Sequence, residues 1–177
     1  MSKKILIVGG VAGGASAAAR MRRLDESAEI IMFERGEYIS FANCGLPYYI
    51  GETIKAREAL LVQTPEAMKA RFNIDVRVNS DVAGIDVNSK KVTVNSSDRG
   101  TYEESYDYII LSPGAKPIAP PIKGIDSSRI YKLRNVPDTD KIKAVVDSKK
   151  ITSAVVIGGG VIGIETAENL KERGIKV

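Results

Sequence analysis

Short apolar runs that end in glycine or an acid punctuate the chain and predict most of its strands. Ile5-Leu6-Ile7-Val8 runs straight into Gly9-Gly10, and Glu29-Ile30-Ile31-Met32-Phe33-Glu34 ends in a carboxylate. The first run predicts a buried strand and the second a strand ending in an acid. Between them a helix is expected up to Leu24, with Ala15, Ala18 and Ala19 small enough for close packing on a sheet. Further on, Thr64 and Pro65 predict the cap and first turn of a helix reaching Phe72, and Ile74 to Val78 predicts a strand. Three alternating runs follow, Val82 to Val87, Lys91 to Asn95 and Thr101 to Ser105. Asn88-Ser89 and Ser97-Asp98-Arg99-Gly100 turn between them, which predicts a β-meander.

The last third repeats the opening pattern. Tyr106 to Leu111 predicts a buried strand that stops at Ser112-Pro113-Gly114, and the proline-rich stretch Ala115 to Pro121 predicts a connector. Asp138 or Thr139 is expected to cap a helix through Asp147. Ala154 to Ile157 then predicts a strand, followed by Gly158-Gly159-Gly160-Val161-Ile162-Gly163, a helix through Arg173, a stop at Gly174 and a new strand at Ile175.

Strand, glycine turn, helix, strand and acid in that order is the dinucleotide-binding βαβ unit. Its glycines bring backbone N–H groups close to a pyrophosphate at a helix N-terminus, and the acid takes ribose hydroxyls. In the first unit Gly9 and Gly14 are the outer glycines and Glu34 stands at the expected distance, but Val11 replaces the middle glycine, so a slightly displaced turn is expected. In the second unit Gly158, Gly160 and Gly163 match without exception. The expected fold is α/β, a Rossmann-like three-layer arrangement with an inserted β-meander. Its domains would be 1–120, a connector and helix over 121–150, and 151–177 as the start of a second nucleotide unit. That second unit is expected to be incomplete and the chain to be truncated.

Composition changes this picture little. The chain has 177 residues, 44% of them hydrophobic and 27% charged, and a net charge of +4, which fits a soluble globular protein. The opening apolar run is too short for a signal sequence or membrane span. The mild basic excess lacks the clustering and stacking aromatics of a nucleic-acid face, and there is no tryptophan. Neither nucleic acid nor membrane is expected as a partner. One cysteine cannot form an internal disulfide, which fits a reducing, cytoplasmic setting. With no histidine and one cysteine, no metal site is expected.

That cysteine lies in Ser40-Phe41-Ala42-Asn43-Cys44-Gly45-Leu46-Pro47-Tyr48, and the position five further on is Tyr49, so no partner thiol stands nearby. A redox-active thiol without a partner can alternate only with a sulfenic acid or a mixed disulfide to a substrate. Gly45-Leu46-Pro47 predicts a helix start at Cys44, where the helix dipole favours thiolate. This segment resembles the active-site segment of coenzyme A-disulfide reductases and their persulfide-reductase relatives, within the flavin-dependent pyridine nucleotide–disulfide oxidoreductases. Gly10 to Gly14, Ile110 to Ala115 and Leu133 to Asp140 are similar to the same group.

The resemblance covers the whole chain and implies FAD at the first unit and NADH or NADPH at the second. It implies FAD contacts at Gly9, Val11, Ala12, Gly14, Glu34, Arg35, Ser112, Pro113 and Gly114, and nicotinamide-cofactor contacts at Gly158, Gly160 and Gly163. Cys44 would be the catalytic thiol. Ser16, Arg20, Arg23, Ser40, Asn43 and Arg71 would bind coenzyme A, with Arg20 and Arg23 on one helix face and Arg22 directed elsewhere. The implied enzyme is a homodimer that passes electrons to CoA disulfide or CoA persulfide, a small-molecule thiol–disulfide substrate. Two alternatives stay open: an NADH oxidase or peroxidase using a cysteine sulfenic acid, and an inactive nucleotide-binding fragment. Oxidase relatives typically carry a histidine in the first glycine loop, where this chain has Ala12.

Overall fold

The computed structural model describes residues 2–177. In chain order the elements are β1 (Lys4–Val8), α1 (Ala12–Leu24), β2 (Glu29–Phe33), α2 (Leu46–Ile50), α3 (Pro65–Phe72) and β3 (Asp75–Arg77). There follow β4 (Ser80–Asp86), β5 (Lys91–Ser96), β6 (Gly100–Ser105), β7 (Tyr108–Leu111), α4 (Val136–Asp147) and α5 (Val161–Glu172). Short 3-10 turns cover Asn43–Gly45 and Arg57–Leu60. The chain packs as two compact units. The first runs to Phe41 and resumes over Leu61–Gly114; the second combines Ala42–Leu60 with Ala115–Val177. This division ends the first unit near residue 114 rather than 120 and assigns the cysteine segment to the later part of the chain.

The first unit is layered as its sequence pattern requires. β3, β2, β1 and β7 lie in that order in one parallel sheet. Alternate residues of β1 and β2 face opposite ways, so both faces are buried. Ile5, Ile7, Ile30 and Met32 pack with Ala15 and Ala18 of α1 and Met68 of α3. Leu6, Ile31 and Phe33 pack with Val92, Val94 and Tyr106 on the other face. The antiparallel meander β4-β5-β6 supplies that second covering layer. Thr64 caps α3 as expected, accepting the Ala67 N–H at 3.2 Å.

Three expectations need correction. β7 is half-exposed rather than buried, with Tyr108 58% and Leu111 57% accessible, because among the described residues it pairs only with β1 at the edge of the sheet. The cap of α4 is Asn135, whose side chain accepts the Asp138 N–H at 2.9 Å, so the helix starts before Asp138 and Thr139. Asparagine in extended backbone, with a proline in the first turn, is a stronger start signal than either later residue. Ala154 to Ile157 and Ile175 to Val177 do not form strands; a single parallel bridge joins Ser153 to Lys176. Val155 and Ile157 stay exposed, because among the described residues no further strand lies alongside to complete a ladder.

The second unit is helical. Ile50 of α2, Val146 of α4, Leu170 of α5 and Ile175 form its small core, with Leu133, Ile142, Ile151 and Val156 partly buried around it.

Candidate active site

The first glycine turn is a backbone cradle. A Cβ on Gly14 would lie 1.7 Å from the Gly9 carbonyl oxygen, and one on Gly9, whose φ is +98°, would lie 2.0 Å from the Ser112 oxygen. Only glycine fits either position. The turn ending β1 and the turn ending β7 therefore touch through backbone, with Ser112 N–H donating to the Val8 carbonyl at 2.7 Å. Arg35 closes the same region, donating from Nη2 to the Pro113 carbonyl at 3.2 Å. The structure thus gathers Gly9, Gly14, Arg35, Ser112 and Pro113, and Gly114 follows at φ +70°.

Glu34 makes contacts that its position after β2 does not reveal. Its two carboxylate oxygens accept the N–H groups of Gly10 at 2.8 Å and Gly36 at 2.9 Å. The acid thereby ties the glycine turn to the end of β2.

The second glycine turn repeats the construction. Gly158 has φ +117°, and a Cβ on Gly163 would meet its oxygen at 2.1 Å. Gly160 precedes α5 as Val11 precedes α1, and neither helix start has a side-chain cap. The register is shared. The backbone differs, with ψ −123° at Val11 and 170° at Gly160, so the valine is accommodated by rotating the turn while α1 still begins at Ala12.

Ser16, Arg20 and Arg23 are all exposed along α1, at spacings that put them on one face. Arg23 and exposed Arg71 of α3 line one shallow depression of about 410 Å³ with Glu26, Phe72 and Asn73. Arg22, expected to be directed elsewhere, lines the same depression. It binds the Phe72 and Asn73 carbonyls at 2.8 and 3.0 Å and the Glu26 carbonyl at 2.7 Å, fastening the end of α1 to the end of α3. Ser40 has a left-handed φ of +43°; its N–H donates to the Gly10 carbonyl at 2.9 Å.

Cys44 is an exposed free thiol in the 3-10 turn that leads into α2. The expected helix start is present, though α2 is only five residues long. Around the thiol, the second unit holds the segment at several points that the sequence did not reveal. Arg134 donates to the Asn43 amide oxygen at 3.1 Å. The Tyr48 hydroxyl donates to Glu165 of α5 at 3.3 Å, and that carboxylate's charge pushes the phenol above its usual range. Arg173 donates to the Ile50 carbonyl at 2.9 Å, and Arg57 binds Asp140 through Nε and Nη2. Asn169 packs on Gly51 with its amide oxygen buried and, among the described residues, without a hydrogen-bond partner. The run Leu133 to Asp140 contained Arg134 and Asp140 in plain view; nothing in their spacing pointed back to residues 43 and 57.

Among the described residues no group of His, Cys, Asp and Glu could hold a metal ion, and no helix is long and apolar enough to cross a membrane.

Two glycine cradles of one construction, a parallel α/β unit and a single exposed thiol are the features this chain offers for comparison with known proteins. The chain belongs to the pyridine nucleotide-disulphide oxidoreductase family, whose family model matches residues 3–177. It is 43% identical over 176 residues to a coenzyme A disulfide reductase of Staphylococcus haemolyticus, covering 99% of this chain and 39% of that protein. Its fold matches a reduced Bacillus anthracis CoADR-RHD with a TM-score of 0.96 and 62% identity, over 99% of this chain and 32% of that one. It also matches an NAD-dependent persulfide reductase from A. fulgidus, with a TM-score of 0.93 and 35% identity, over 97% of this chain and 32% of that one. The chain thus spans about two fifths or less of the length of these relatives.

Proposed function

We propose that this chain carries the flavin cradle and redox cysteine of an NAD(P)H-dependent reductase of CoA disulfide or CoA persulfide. The observation that carries the reading is Cys44: an exposed thiol with no second cysteine, in a turn whose neighbours are hydrogen-bonded on both sides. A one-thiol centre can reduce a disulfide only if the second sulfur arrives with the substrate.

The first cradle fits FAD. Its glycines leave no room for a Cβ, α1 offers an N-terminus free of side-chain caps, and Glu34 stands at the end of β2. Gly9, Val11, Ala12, Gly14, Glu34, Arg35, Ser112, Pro113 and Gly114 would hold it, and bound FAD would supply two electrons taken from NADH or NADPH. Gly158, Gly160 and Gly163 would hold the nicotinamide cofactor's pyrophosphate.

For CoA disulfide, the Cys44 thiolate attacks one sulfur, the substrate S–S bond breaks, and a Cys44–CoA mixed disulfide forms. The departing CoA thiolate takes a proton. Two electrons then cleave the mixed disulfide, releasing the second CoA and restoring the Cys44 thiolate. Ser16, Arg20, Arg23, Ser40 and Arg71 would serve the phosphates and polar groups of CoA, and Asn43 the part nearest the sulfur. The same reading has the holoenzyme as a cytoplasmic homodimer, a state that sedimentation would test.

Cys44→Ser is expected to abolish NAD(P)H consumption with CoA disulfide while the ratio of flavin to protein absorbance stays at its wild-type value. Turnover retained in that variant would remove Cys44 from the mechanism. Oxygen uptake without any CoA-dependent turnover would favour the oxidase reading instead.

A further inference from the structure

The residue beside the thiol is oriented by a side chain 91 residues further along the sequence. Asn43 opens the 3-10 turn that carries Cys44, and its amide oxygen accepts from Arg134 Nη1 at 3.1 Å. An asparagine amide can face a partner with either its oxygen or its nitrogen. An arginine has five donors and no acceptor, so only the oxygen can face it. The contact therefore fixes the flip and leaves the NH₂ as the group that Asn43 has to offer.

Arg134 is itself held in place. Its Nε donates to the Ala115 carbonyl at 3.0 Å, and its backbone N–H donates to the Asp138 carboxylate at 3.1 Å. Asp138 lies in the first turn of α4, where its own N–H is bound by the Asn135 cap. The guanidinium is thus pinned at Nε, and the Arg134 backbone at its N–H, before Nη1 reaches Asn43. A lysine has no such planar fork and could not hold both acceptors in fixed geometry.

We propose that Arg134 is a positioning residue which locks Asn43 as a hydrogen-bond donor, and that this donor selects disulfide substrates bearing a carbonyl acceptor near the sulfur. This rests on the reading of Asn43 as a CoA contact. Coenzyme A meets the requirement, since amide carbonyls lie along the arm that ends in its sulfur. A hydroxyethyl disulfide has the same reactive bond and no carbonyl.

The test measures kcat and KM of the holoenzyme on CoA disulfide and on bis(2-hydroxyethyl) disulfide, for wild type, Asn43→Asp, Arg134→Met, Arg134→Lys and the Asn43→Asp/Arg134→Met pair. Asn43→Asp keeps an acceptor for Arg134 but has no donor. It is expected to lower the preference for CoA disulfide about tenfold, mostly through KM, the size expected from losing one hydrogen bond. Arg134→Met frees the amide to flip and is expected to lower the preference about threefold to fivefold, with Arg134→Lys in between. The double variant is expected to be no less selective than Asn43→Asp alone, because both changes act through one donor. Wild-type preference in both Arg134 variants would overturn the positioning role, as would losses in the double variant that simply multiply. A wild-type holoenzyme inactive on CoA disulfide but active on the small disulfide would overturn the function reading and this proposal with it.

Discussion

Gly51 is a position where one methyl group would be felt. A Cβ there would lie 1.9 Å from the Asn169 amide oxygen, so the glycine Cα–H points at that buried atom. A Cα–H aimed at a carbonyl oxygen makes at most a weak contact. Gly51→Ala is expected to cost about 1–3 kcal/mol through overpacking. In an Asn169→Ala background the amide is gone and only the Asn169 Cβ position, 2.9 Å away, is left to give, so the same change should cost less. Urea unfolding of the four variants measures the coupling, and equal costs in both backgrounds would show that the contact does not limit the site. At this scale the sequence displayed chemistry but not contact. Cys44 and the glycines of the two fingerprints stand out because only certain residue types can do what those positions do. Arg134, Glu165 and Asn169 are ordinary helix or loop residues until folding brings them against residues 43 to 51.

Among the elements, the meander is fastened to the sheet by a charge cluster as well as by its apolar face. Glu104 of β6 binds Lys4 of β1, and it binds Arg77 of β3 at 2.6 Å. Burial alone would raise the Glu104 carboxyl, but hydrogen bonds from Lys4 and Arg77 and their charges outweigh it and hold it below the usual carboxylate range. A lowered folded-state value means stability that is present above the unfolded value, about 4.3, and lost as pH falls through the folded one. Glu104→Gln should therefore show a shallower loss of stability than wild type as pH is lowered from about 5, where the unfolded carboxylate begins to take up protons. Parallel acid slopes in urea titrations of the two proteins would remove Glu104 from the acid response. The elements of this unit were legible because their periodicity is enforced by burial on known faces. The apolar run at residues 154 to 157 carries the same pattern. Among the described residues it forms no ladder beyond the Ala154 N–H bond to the Lys176 carbonyl, because hydrophobicity marks a segment as able to join a sheet, while the ladder itself needs a neighbour with free N–H and C=O groups.

For the molecule as a whole, the division into units follows packing and not sequence order. Residues 42–60 leave the first unit and return to it, and the partners that hold them lie beyond residue 114. Composition does not change at 41 or 61, so nothing in the residues marks those boundaries. The glycine fingerprints located two glycine turns, yet the cysteine segment packs with the later part of the chain. This has a consequence for the growing chain. As the ribosome releases the polypeptide from its N-terminus, the first unit has all its strands once Leu111 has emerged, but Arg57 still lacks Asp140 and Ile50 still lacks Arg173. The loop with Cys44 is thus early in translation and is expected to dock late in folding. Trypsin cleavage after Arg57 should be rapid in stalled nascent chains that expose residues only to 114, and slow once 177 has emerged. Equal cleavage rates at both lengths would mean that the loop docks without its downstream partners.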